Sequence, residues 1–190
     1  MPIIAACCYT RAAKEASMAK KNIDDYVQQL TEVGWFANMA DKEAYIAGMK
    51  AKWTENNDGK CANTLPWVWF DSECVDNESA YKDLITEILE SAKGNVPFSQ
   101  VTEEWDQKTE PVSIKIAVTL KNGETLSATY EYESDYLNED FDSFITGVVE
   151  KATDGKFTAF FKSTGGQDGL VLVADKDALT AAKKKRLLSA

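Results

Sequence analysis

The stretch PVSIKIAVTLKNGETLSATYEY, Pro111 to Tyr132, decides the fold. Val112, Ile114, Ile116, Val118 and Leu120 alternate with Ser113, Lys115, Ala117 and Thr119, the period of two expected of a strand with one buried face. Leu126, Ala128, Tyr130 and Tyr132 repeat the pattern beyond Asn122-Gly123, so the segment is a β-hairpin. A two-residue turn would pair Leu120 with Thr125 and send the two apolar sets to opposite faces. A three-residue loop, Lys121-Asn122-Gly123 with Gly123 left-handed, pairs Val118 with Leu126 and Ile114 with Tyr130 on one face.

Downstream, Asn138 is positioned to cap a helix in which Phe141, Phe144, Ile145, Val148 and Val149 form one apolar stripe. Asp154-Gly155 ends it. Phe157–Lys162 reads as a strand, Ser163–Gly169 as a glycine-rich turn and Leu170–Val173 as the returning strand. A phosphate loop leads from a strand into a helix N-terminus, whereas this one leads into a strand, so it reads as a hairpin loop. Asp175 caps a last helix ending in Lys183-Lys184-Lys185-Arg186, with acid and base placed to suit its dipole. The C-terminal half is therefore ββαββα. The fold class is α+β, an antiparallel sheet built from hairpins with helices on one face.

The N-terminal half is mainly helical. Ala12, Ala16, Ala19, Ile23, Tyr26, Leu30 and Val33 follow heptad spacing, a seam suited to a homodimer or to packing on the chain's own domain. Asn22, ahead of Asp24-Asp25, could equally cap a second helix and split that segment. Asp41 opens a helix to about Asn56 with Tyr45, Ile46, Met49 and Trp53 on its apolar stripe. Leu65–Phe70 reads as a strand. Its Trp67/Trp69 and Val68/Phe70 pairs make both faces apolar, as in a central, doubly covered strand. Asn77 is expected to cap the helix carrying Tyr81, Leu84, Ile85, Ile88 and Leu89, with Gly94 and Pro97 closing it. One domain over residues 1–190 is expected. If the chain divides, Gly94–Pro111 is the boundary between a helical region, 1–95, and the ββαββα region, 111–190.

Ile4-Ala5-Ala6-Cys7 resembles a lipoprotein cleavage site, but only six residues precede the cysteine. Unless the true start lies upstream, Met1–Tyr9 reads as a short buried strand. Cys7, Cys8, Cys61 and Cys74 show no C-x-x-C spacing, so free thiols and a cytoplasmic location are expected. No apolar run nears the roughly 20 residues that cross a bilayer.

The chain has no histidine. That excludes Ser-His-Asp and Cys-His catalysis and histidine-containing zinc sites. Neither G-x-x-x-x-G-K-[ST] nor G-x-G-x-x-G occurs, and no calcium-loop pattern appears, so no cofactor is expected. Glu131 and Glu133, about 7 Å apart if both lie on one strand face, have the separation of a hydrolytic carboxylate pair, though any wet strand gives the same spacing.

The formal charge is −10, and it is unevenly spread. From Asp71 to Asp142 there are 18 acidic and five basic residues, a net of −13. Such a segment repels phosphate backbones and attracts a basic protein. Within it Trp105, Tyr130, Tyr132 and Tyr136 supply aromatic anchors among the carboxylates, and Trp105, Tyr130 and Tyr136 with Glu131, Glu133, Asp135, Glu139 and Asp140 are the contacts expected to meet that partner. This profile is similar to that of bacterial immunity and antitoxin proteins, and the resemblance implies an inhibitor that covers a basic toxin such as a nuclease. Two other functions fit the composition. One is a phage or mobile-element inhibitor that mimics DNA charge, and the other is an enzyme using a carboxylate pair.

Overall fold

The computed structural model describes residues 22–56 and 60–188. The seam positions before Asn22 and the Met1–Tyr9 strand lie outside them. In chain order the elements are α1 (Ile23–Glu32), α2 (Lys42–Asn56), a 3₁₀ turn (Cys61–Thr64), β1 (Val68–Asp71), α3 (Ala80–Ser91), β2 (Phe98–Asp106), β3 (Ser113–Leu120), β4 (Thr125–Glu131), α4 (Phe141–Ala152), β5 (Phe157–Ser163), β6 (Asp168–Asp175) and α5 (Lys176–Lys184).

The fold is α+β, with the ββαββα order running from β3 to α5. The two hairpins lie in different antiparallel sheets, each completed by a strand from earlier in the chain: β1-β6-β5 and β2-β3-β4. The β3–β4 register is the one the apolar pattern demands, Val118 opposite Leu126 and Ile114 opposite Tyr130. Leu120 N–H donates to the Glu124 carbonyl at 2.8 Å, leaving Lys121-Asn122-Gly123 as the loop, with Gly123 at φ 88°.

Two apolar cores share one strand. The first joins α3 (Tyr81, Ile85, Ile88) and α4 (Phe141, Ile145, Val148) to Ile114, Ile116 and Val118 of β3 and to Val171 and Val173 of β6. The second joins α1 (Ile23, Tyr26, Leu30), Trp35, Phe36, Met49 and α5 to Leu172 and Ala174 of the same strand. Alternation along β6 thus feeds both cores, and Val171 through Ala174 are all buried.

The doubly covered strand is therefore β6, and the expectation for Trp67–Phe70 is corrected. β1 stands at the sheet edge. Val68 and Phe70 do face the first core and Trp67 packs on the second, but Trp69 is 57% exposed. Apolar residues on both faces do not distinguish a central strand from an edge whose neighbours reach only part of its length.

The Gly94–Pro111 stretch, marked as a boundary, contains β2, which pairs with β3 from Phe98 to Asp106. The cores also cut across the division at residues 95 and 111, since the second draws on both termini of the described chain.

Asn22 caps α1, its Oδ1 accepting from Asp24 N at 3.1 Å, so the segment divides there. Asp175 caps α5 by accepting from Asp177 and Ala178 N–H, while its other oxygen takes Asn38 Nδ2–H at 2.7 Å. Asn77 does not cap α3. Its oxygen holds Ser79, and the Lys82 N–H at the helix start donates to Glu103 of β2 at 2.9 Å. Likewise Asn138 accepts from Asp140 N, and Asp140 is the residue preceding α4.

Gly169 lies opposite Phe70 across the β1–β6 pair, and a Cβ there would come within 2.2 Å of the Phe70 Cζ, far inside van der Waals contact. Gly169→Ala is expected to lower stability by about 1–3 kcal/mol, read from the denaturant midpoint. Gly147→Ala, on open helix surface, is expected to raise it by about 0.5–1 kcal/mol. Equal midpoints for the two variants would contradict this packing.

Candidate functional site

β4 ends at Glu131, and the chain then crosses to α4 through Tyr132–Asp140. This connection is pinned to the segment after β1. Val75 N–H donates to the Asp135 carbonyl at 2.8 Å, and Leu137 N–H to the Ser72 carbonyl at 2.7 Å. Asn138 N–H donates to the Tyr81 hydroxyl at 2.9 Å. Tyr136 O–H donates to Glu73, and Gln167 Nε2 reaches both Glu73, at 2.5 Å, and Tyr136, at 2.8 Å. The hydrogen bond to Glu73 pushes the Tyr136 hydroxyl above its ordinary pKa.

Between this connection, the end of β4 and the start of α4 lies a cleft of about 910 Å³. Glu131, Glu133, Glu139 and Asp140 line it, with Tyr130, Tyr136 and Phe144 among its aromatic side chains. All four carboxylates are exposed. Six of the eight residues singled out in the sequence therefore share one concavity. Glu133 lies beyond the end of β4, so strand alternation does not set its separation from Glu131.

The other two lie apart. Asp135 is exposed and contributes its carbonyl to the link with Val75. Trp105 is half-buried on β2, its ring 5.0 Å from that of Tyr132 and its Nε1–H on Glu103 at 2.8 Å. It lines a separate hollow with Lys108 and Lys115. An aromatic ring amid carboxylates was too coarse a criterion there, because Trp105 closes the first core's edge.

Tyr130 also departs from an exposed anchor. It is 5% exposed, with its ring 5.4 Å from that of Tyr81. Its inward position follows from the same alternation that places Ile114 opposite it. Its hydroxyl has no hydrogen-bond partner among the described residues. Burial above all, then the neighbouring Tyr81 hydroxyl and the Asp140 carboxylate, hold it protonated far above the ordinary range. The hydroxyl thus lies within electrostatic reach of the cleft wall.

What composition could not find is the set of polar and apolar side chains between the acids, notably Ser134, Leu137, Ser143 and Phe144. Phe144 belongs to the apolar stripe of α4, and nothing in that periodicity marks it as half-exposed to a cleft. Among the described residues, no group of three or more histidine, cysteine or acidic side chains is arranged to hold a metal ion. No described helix is long and apolar enough to cross a membrane. No protein-family model, curated protein or solved structure matches the chain.

A buried hydroxyl without a partner is destabilising. Tyr130→Phe keeps the ring and removes that group, so thermal or denaturant unfolding should show a gain of about 1–3 kcal/mol. A loss of stability instead would mean that the hydroxyl makes a bond in the folded protein.

Proposed function

We propose that this chain is a non-catalytic acidic binding protein that takes a basic segment of a partner protein into the cleft between β4 and α4. The observation that carries this is the gathering of Glu131, Glu133, Glu139 and Asp140 around one concavity. Long-range attraction brings a cationic partner in, and the concave shape restricts where it docks. The loop is tied to Ser72, Val75, Tyr81 and Gln167, so little ordering is left to be done on binding. An inhibitor of the immunity or antitoxin kind, covering the basic active site of a nuclease toxin, is the biological setting that suits such a surface. Carboxylates gathered in a cleft favour this over a mimic of DNA, which calls for acids in phosphate-like rows along an extended surface.

The test uses a fluorescent peptide of alternating lysine and glycine, titrated at several salt concentrations. The variant Glu131→Gln/Glu133→Gln/Glu139→Gln/Asp140→Asn is expected to lose about 1–4 kcal/mol of binding at low salt and to show a flatter salt dependence. A control neutralising Asp83, Glu87, Glu104 and Asp106, also exposed acids, is expected to bind within about twofold of wild type. Equal losses in the two variants would show that bulk charge, and not the cleft, does the binding.

A further inference from the structure

We infer that the partner's basic segment enters the cleft as an extended strand and pairs its main chain with the free edge of β4 at Thr129 and Glu131. This rests on the cleft being the docking site for a basic protein, and adds how that segment is held. β4 pairs with β3 on one side only. Two bonds at the ends of that ladder fix which way each residue points. Leu120 N–H donates to the Glu124 carbonyl and Tyr132 N–H to the Val112 carbonyl, in the same register as the strands between them. The even-numbered residues of β4 therefore bond β3, and Thr125, Ser127, Thr129 and Glu131 turn both N–H and C=O outward. All four residues are exposed, and among the described residues no hydrogen bond reaches those main-chain groups.

The other three sheet edges are protected. β1 has four residues. β2 is broken by a register shift between Phe98 and Gln100. β5 carries Lys162, and its Phe157 N–H is taken by the Thr153 hydroxyl at 3.1 Å. β4 runs for seven residues in unbroken register, with neither proline nor lysine, the kind of edge that accepts an added strand. Its Ala128–Glu131 end opens on the 910 Å³ cleft, with Ser143 and Phe144 of α4 on the far wall. Charge selects the occupant. A second copy pairing β4 to β4 would bring two segments of net −13 together, 18 acidic against five basic residues in each. An extended segment rich in lysine or arginine would instead lie among Glu131, Glu133, Glu139 and Asp140 while its amides and carbonyls met those of Thr129 and Glu131.

The probe is a ten-residue peptide of alternating lysine and threonine, with two relatives of the same charge. One is methylated on the backbone nitrogens of its lysines, the other on those of its threonines. A strand offers one edge to its partner, so one methylated peptide is expected to bind about tenfold more weakly and the other within about twofold of the parent. In the complex with the parent peptide, hydrogen exchange at the Thr129 and Glu131 amides is expected to slow at least tenfold from the fast exchange of the free protein. Equal affinities for the two methylated peptides would overturn the inference and leave the acidic docking cleft standing. So would unchanged exchange at Thr129 and Glu131 in the saturated complex. Slow exchange there in the free protein would also overturn it, since the edge would already be covered by the chain itself or by a second copy. Failure of the parent peptide to bind would overturn both readings.

Discussion

Strand β6 must be apolar on both faces and paired on both edges, and the rest of the structure is arranged around that requirement. Val171 and Val173 enter one core, Leu172 and Ala174 the other. Burying side chains of this size is worth about 1.5–3 kcal/mol for each of the larger ones. The strand obtains its edges from β5, its hairpin partner, and from β1, about a hundred residues earlier. Its last residue, Asp175, then starts α5 and fastens the α1–α2 connection through Asn38. One strand thus sets the relation of the N-terminal helices, the last helix and the first core.

The cleft inherits its shape from this arrangement. Because β1 is held against β6, the residues that follow it, Ser72 to Val75, stand where they can bond the chain leaving β4. The acidic connection Tyr132–Asp140 is consequently fixed at several points along its length. Gln167, in the β5–β6 turn, adds a bond from the sheet containing β6 to Tyr136. A charged loop held by main-chain bonds presents its carboxylates in a defined array, and a partner then meets specific positions as well as a general field.

The β3–β4 hairpin was legible because period-two alternation and a glycine turn constrain register together, and only one loop length satisfies both. Asp175 was legible because a cap and an oppositely charged helix end coincide. β2 was not: PheSerGlnValThrGluGluTrpAsp, residues 98–106, is mostly polar, with Val101 its only fully buried residue. An edge strand of that composition carries a weak periodic signal, and the flanking Gly94, Pro97 and Pro111 read as punctuation. The doubly buried strand was assigned to Trp67–Phe70 because large aromatics dominate a sequence pattern, whereas its true location uses the smaller Val171-Leu172-Val173-Ala174. At the site, charge counting identified the acidic segment. It could not separate Trp105, which packs on Tyr132, from the cleft residues. Nor could it show that Tyr130 keeps its hydroxyl unbonded within the fold, since that depends on three elements meeting.

The claim most open to direct examination is that a basic ligand lands in the cleft and not on the acidic surface at large. Amide chemical-shift mapping by NMR, with a cationic peptide added stepwise to the full chain, addresses it residue by residue. Perturbations concentrated in residues 129–144, with Asp83–Glu90 and Glu103–Asp106 unmoved, are the predicted result. Shifts spread evenly over all the exposed acids, or centred on another surface, would contradict it.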